Sequence, residues 1–118
     1  MKQVSYDGIG QVMATFPAAL DSQGADKVTE GAPVKMGAAG TVDLCGDGDA
    51  FIGVAMTVRD GCAGVQVRGF VTLPASGSIA TGLVTLAANG SGGVKQVSSG
   101  GTAYLVAESN GGSVTILL

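Results

Sequence analysis

Histidine and tryptophan are both missing from the 118 residues. Without an imidazole there is no Ser-His-Asp or Cys-His nucleophile system and no imidazole metal ligand. Without Trp, and with 3 Phe and 2 Tyr dispersed along the chain, the material for a base-stacking platform is lacking. Charge is sparse: 6 Lys and Arg against 9 Asp and Glu, a net charge of −3. Scattered cations in that number cannot build a phosphate-tracking stripe, so no nucleic-acid partner is expected. No apolar stretch approaches the ~20 residues that span a bilayer. Residues 1–7 carry no apolar run of the signal-peptide kind, and the expectation is a protein made in the cytoplasm of its producing cell. The 2 Cys, Cys45 and Cys62, are expected as free thiols in that compartment and cannot complete a zinc site alone.

What is present points to strands. Leu, Ile, Val and Phe number 8, 4, 15 and 3, enough for one packed core in a chain of single-domain length. The 21 Gly follow no three-residue period, which excludes collagen. They fall in turns between short apolar runs, and abundant Val and Thr favour a pleated surface over a helix. Strands are read at 12–16, Pro33–Met36, Thr41–Leu44, Phe51–Val58, Gly64–Pro74, Leu83–Ala87, Val94–Val97, Thr102–Glu108 and Val114–Leu118. Residues 18–30 read as a loop with at most one helical turn. Phe51–Val58 is dense enough to be buried on both sides. In Gly64–Pro74 the residues Val65, Val67, Val71 and Leu73 share an apolar face, with Gln66, Arg68, Phe70 and Thr72 opposite. Gly69 in its middle marks a bulge or a bend. Asp60-Gly61 is a tight hairpin signal. Turn signals every eight to twelve residues define an all-β fold, a small single-domain β-barrel or β-sandwich of about nine short strands. Gly-Val pairs hint at repetition, but no fixed period runs through the sequence, which excludes a solenoid. Gly8 and Gly10 set off residues 1–10 as a flexible arm before a barrel over residues 11–118.

Few clusters have a chemical look. The turn Asp43-Leu44-Cys45-Gly46-Asp47-Gly48-Asp49 offers three carboxylates, but an EF-hand loop needs an oxygen donor where Cys45 stands and a bidentate Glu where Val54 stands. Asp-Gly turn chemistry is the favoured reading over a weak ion site. Asn89-Gly90-Ser91-Gly92-Gly93-Val94-Lys95 lacks the Gly-Lys-Ser/Thr of a phosphate loop and reads as a hairpin loop. Arg59, Asp60 and Arg68 read as rim charge, with a subunit contact as the alternative. Ser22, Ser76 and Ser109 have no base near them in sequence, and no spacing supports a carboxylate pair. The apolar end Val114-Thr115-Ile116-Leu117-Leu118 is either an interior strand or a partner-facing edge.

The order of motifs carries a resemblance. Gly31-Ala32-Pro33-Val34 precedes a polar turn. Phe51-Ile52-Gly53-Val54-Ala55 then leads through Arg59-Asp60-Gly61 into Val65-Gln66-Val67-Arg68-Gly69-Phe70-Val71-Thr72-Leu73-Pro74. Gly82-Leu83-Val84-Thr85-Leu86, Tyr104-Leu105-Val106-Ala107 and the terminal strand follow. This progression, over residues 31–118, resembles the tailed-bacteriophage capsid decoration proteins, or head cement proteins. The resemblance implies a small β-barrel-like fold without catalysis, made in the host cytoplasm and attached to the outer capsid surface of the virion. It implies the major capsid protein as partner and a homotrimer at the three-fold positions of the head, with an N-terminal segment touching the capsid. Val4, Tyr6 and Ile9 are the apolar residues of that segment and the candidate capsid contacts. No catalytic residue, cofactor, metal or small-molecule substrate is expected. The competing reading is a small ligand- or carbohydrate-binding β-module, weakened in its sugar-stacking form by the missing Trp.

Overall fold

The computed structural model describes residues 8–118. These residues are all-β, with strands β1 (Val12–Pro17), β2 (Pro33–Met36), β3 (Val42–Leu44), β4 (Gly53–Arg59), β5 (Cys62–Arg68), β6 (Phe70–Pro74), β7 (Gly82–Ala88), β8 (Val94–Gln96), β9 (Thr102–Ser109) and β10 (Ser113–Leu117). One 3-10 turn, Ala38–Gly40, joins β2 to β3. The strands form two antiparallel five-stranded sheets, ordered β1-β5-β4-β2-β3 and β6-β10-β9-β7-β8. Residues 18–32 run as a loop without a helix, as the composition of 18–30 predicts.

The two sheets have the same topology, strand for strand. The first half, β1 to β5, and the second half, β6 to β10, take corresponding places in their sheets. Register repeats as well. Ala55 faces Val65 and Thr57 faces Gly64, which leaves Met56 as a bulge. Val106 faces Ile116 and Glu108 faces Thr115, which leaves Ala107 as a bulge at the equivalent place. Pro17 faces Cys62 in one sheet, and Pro74 faces Ser113 in the other. Each sheet curls until its edges touch through a parallel bridge, Ala18 to Val42 in the first and Ala75 to Val94 in the second. The sequence hides this duplication because the β1–β2 loop is much longer in the first half and β7 outruns β2. The offset between equivalent residues therefore drifts along the chain.

Each half has its own core. Val34, Val42, Ala55, Ala63 and Val65 pack together in the first. Their equivalents Val84, Val94, Val106, Val114 and Ile116 pack in the second. The first core has the smaller side chains and is completed from the long loop by Ala18 and Val28. Phe51 and Val54 of the first half pack into the core of the second, so the halves share buried surface.

The crossover between halves corrects the reading of Gly64–Pro74 as one strand. Gly69, at φ 98°, ends β5 and starts β6, which belong to different sheets. A Cβ at Gly69 would lie 2.6 Å from the Gly10 carbonyl group and 2.7 Å from the Gln11 nitrogen. Glycine is required here by conformation and by contact together. Gln66 is a second correction. Expected on the wet face, it is 1% exposed. Its amide donates to the carbonyls of Arg68 at 3.1 Å and Phe70 at 3.0 Å. Its Oε1 accepts from the Gln11 amide at 3.1 Å. A third correction concerns Phe51–Val58. Burial on both sides holds for Gly53, Val54 and Ala55, but Met56 and Thr57 are exposed, because the bulge turns the strand outward. The terminal β10 lies between β6 and β9, so the apolar chain end is an interior strand.

Two substitutions test the crossover. Gly69→Ala combines a left-handed residue with a backbone clash and should cost roughly 3 kcal/mol or more. Gly77→Ala is the control. Gly77 has φ 73° but nothing within 4 Å of its Cβ position, and the change should cost only about 1 kcal/mol. Urea midpoints report both. Gln66→Glu sets a buried carboxylate against two carbonyl acceptors and should cost about 3 kcal/mol at neutral pH. Burial raises the folded pKa of the new acid above its unfolded value near ~4.3. The penalty should therefore shrink as pH falls through that raised pKa, because the native state then binds the proton more tightly. Equal destabilisation at pH 7 and pH 4.5 would show that the side chain has left its buried place.

Candidate contact surface

The acidic turn sits at the join between halves. The Gly48 amide donates to the Ala88 carbonyl at 2.8 Å and the Ala88 amide to the Asp49 carbonyl at 2.9 Å. Phe51 stacks on Tyr104, with ring centroids 5.0 Å apart and planes 14° from parallel. The Tyr104 hydroxyl donates to the Phe51 carbonyl at 3.2 Å. Each carboxylate of the turn takes its own lysine: Asp43 with Lys27 at 3.2 Å, Asp49 with Lys35 at 2.6 Å, Asp47 with Lys95 at 2.8 Å. The hydrogen bond from Lys35, and after it the one from the Gly46 N–H, holds the Asp49 carboxyl below the ordinary carboxylate value. The same bond raises the Lys35 pKa. Among the described residues no group of three or more Cys, Asp or Glu gathers as a metal site. The turn works as a clamp from β3–β4 onto the β7–β8 hairpin.

Behind the clamp lies a groove of about 220 Å³, lined in part by Ala32, Pro33, Cys45, Ala88 and Gly93. Drug-sized ligands occupy roughly 300–1,000 Å³, so this groove is small for an organic ligand. Burial, and then the Asp49 charge, pushes the Cys45 thiol up to about 11. Both cysteines are free, and Cys62 is exposed.

The outer surface carries the stronger signal. Directly paired residues form one row across four strands of the second sheet: Phe70 faces Leu117, Leu117 faces Leu105, and Leu105 faces Leu83. Leu83 is 81% exposed, Leu105 38% and Leu117 37%. With Ile52, Arg68 and Leu118 they border a shallow depression of about 620 Å³. A leucine row on a sheet's open face is costly to leave wet. A second apolar group, Ile9, Val12 and Met13, lies exposed at the start of β1.

Of the candidate capsid contacts, Val4 and Tyr6 lie outside the described residues. Ile9 is 57% exposed, and its carbonyl accepts from the Phe70 amide at 2.9 Å. Gly8 donates to the Phe70 carbonyl at 3.0 Å. Residues 8 and 9 are thus tied to the crossover. The leucine row escaped the sequence reading because its members come from three strands and meet only through register. The alternation of Leu83 with Val84 and of Leu105 with Val106 was the available signal. The chain matches no family model and no curated protein.

The thiols give a direct check on the groove. Alkylation of the folded protein at pH 8 should proceed in two phases, a fast one at Cys62 and a slow one at Cys45, because the thiolate is the reacting species. Cys62→Ser should remove the fast phase. In urea both thiols should react at one rate.

Proposed function

We propose that this chain is a structural virion protein that decorates the outer surface of an expanded bacteriophage head and bridges neighbouring major capsid protein subunits. The observation that carries the proposal is the apolar group at the start of the edge strand β1. Ile9, Val12 and Met13 are exposed there, directly after the sequence that holds Val4 and Tyr6. The edges of the first sheet meet only at the far end of β1, at Ala18, and among the described residues the start of β1 pairs with β5 alone, so it supplies backbone donors and acceptors to a partner chain while flanking apolar side chains add burial. The motif order from Gly31 to Leu118 supports the same reading, through its resemblance to decoration proteins. Sparse charge suits a protein packed in many copies, because like charges across repeated contacts are costly. Each attached copy adds an interface, and attachment at several points multiplies the gain against internal pressure. The rigid two-core scaffold keeps the contact points at fixed spacing.

The test is co-sedimentation with expanded heads, read beside a melting curve. Removing residues 1–7 should leave the thermal transition within about 3 °C of the full chain, since both cores are built from residues 8–118. The same truncation should weaken head binding at least tenfold. Ile9→Asp should weaken it further with an unchanged transition. Undiminished binding by both variants would move the contact off this edge and overturn the proposal.

A further inference from the structure

The chain has 2 Asn, Asn89 and Asn110, and glycine follows both. An Asn-Gly step carries its own electrophile and nucleophile: the carboxamide carbon and the backbone nitrogen of the next residue. Glycine has no Cβ to shield that nitrogen or to restrict the backbone turn that the attack needs. The fold treats the two steps differently. Asn89 is held by three side-chain hydrogen bonds. Its Oδ1 accepts from the amides of Ser91 at 2.8 Å and Gly93 at 3.1 Å. Its Nδ2 donates to the Ser76 hydroxyl at 3.1 Å. The next residue is packed as well, since a Cβ at Gly90 would lie 3.0 Å from the Asp47 nitrogen.

Asn110 stands exposed at the tip of the β9–β10 hairpin. Its side chain makes one bond, from Nδ2 to Glu108 Oε2 at 3.0 Å. The Gly111 amide makes no hydrogen bond among the described residues, and nothing lies within 4 Å of the Gly111 Cβ position. The described residues also hold two Asp-Gly steps, which close the same ring by losing water. Both are blocked at the nitrogen. The Gly48 amide donates to the Ala88 carbonyl at 2.8 Å, and the Gly61 amide to Asp26 Oδ1 at 2.8 Å. Of these four steps, Asn110-Gly111 alone combines a lightly held side chain with an unengaged backbone nitrogen.

We infer that Asn110 is a site of spontaneous covalent modification, deamidating through a cyclic imide with Gly111 while the fold protects Asn89. The Gly111 nitrogen gives up its proton and attacks Asn110 Cγ. The new N–Cγ bond forms, the Cγ–Nδ2 bond breaks, and Nδ2 leaves with that proton as ammonia. Water then opens the ring at either carbonyl, giving aspartate or, with the main chain rerouted through Cβ, isoaspartate. Either product adds one negative charge to the −3 of the chain and removes the N–H that reaches Glu108. The isoaspartyl form also lengthens the turn by a methylene, next to the Gly112 carbonyl that accepts from the Ala75 amide at 3.0 Å. The reaction needs no partner protein, so it stands apart from the proposed capsid role.

The experiment ages the full folded chain at pH 8 and follows both sites by peptide mapping. Trypsin cleaves after Arg68 and Lys95, which puts Asn89 and Asn110 in separate peptides. The readouts are the mass gained when an amide becomes an acid and the separate elution of the isoaspartyl peptide. Asn110 should react at least about tenfold faster than Asn89, whose side chain must first leave three hydrogen bonds. In guanidinium chloride the two rates should converge. Ser76→Ala should speed Asn89 severalfold and leave Asn110 unchanged, with the melting curve confirming an intact fold. Equal rates in the folded protein, a faster Asn89, or an Asn110 that stays intact when folded would each overturn the inference. Aspartate as the sole product would overturn the cyclic imide, and an unchanged Asn89 rate in Ser76→Ala would overturn its protection by hydrogen bonding.

Discussion

The fold turns on one buried amide. Between Arg68 and Phe70 the chain leaves one sheet and enters another, and the backbone carbonyls at that change need donors; the Gly8 amide supplies one to Phe70. Gln66 takes the carbonyls of Arg68 and Phe70 and is itself held by Gln11. Both of its N–H donors and one acceptor position of its oxygen are in use inside the protein. A side chain of this length placed three residues before the sheet change satisfies both groups, whereas Leu, which stands at the equivalent position 117, offers no donor. Gly69 meets the second requirement of the same corner. It lets the backbone of Gly10 and Gln11 approach to a distance no Cβ would permit. The placement of β6, and with it of β10 and the outer leucine row, depends on these two residues.

Differences between the halves follow from what each position faces. Where the halves share surface, equivalent residues diverge: Gln66 against Leu117, Val54 against Leu105, Pro33 against Leu83. Inside the two cores they stay apolar and change only in size, as Ala55 against Val106 and Ala63 against Val114. Packing demands volume, and any aliphatic set of the right sum meets it. The first core uses smaller residues in its strands and takes Ala18 and Val28 from the loop over residues 18–32. That loop is long because it closes a core, and its backbone is tied down by turns such as the one Asp21 makes with the amides of Gln23 and Ala25.

Strand existence was legible in the sequence because alternation and glycine punctuation are local signals. The expected strands appear, with Gly64–Pro74 divided at Gly69 into β5 and β6, and Asp60-Gly61 forms the positive-φ hairpin its composition predicts. Gln66 was misread because parity assigns a face only while a strand keeps one sheet. Three residues before a sheet change, the nominally wet face is covered by the next sheet. Met56 was misread for a related reason, since a bulge reverses parity without any mark in hydrophobicity. The duplication stayed hidden because insertions in the β1–β2 loop and in β7 destroy a fixed period, while register survives. The acidic turn was legible as a turn. Its pairing with Lys27, Lys35 and Lys95 was not, because those lysines come from three distant segments.

The asymmetry of the internal junction bears on how such a chain stays specific. An open leucine row on a sheet face is an aggregation hazard when any flat apolar surface can cover it. In this protein the flanking positions narrow the choice. Arg68 stands beside the depression, and the neighbouring row of the same face is polar, with the hydroxyls of Thr72 and Thr115 bonded at 2.8 Å. A covering surface must therefore match one apolar row and leave its polar neighbour satisfied, which is a question of register as much as of hydrophobicity. The first half meets the same geometric problem with Gln66 placed inside the row, where its amide is consumed by the crossover. An amide at position 117 would find no such carbonyls. Leucine there continues the apolar row, so the sequence difference at this one position follows from what each residue faces: the crossover carbonyls at Gln66 and the outer depression at Leu117.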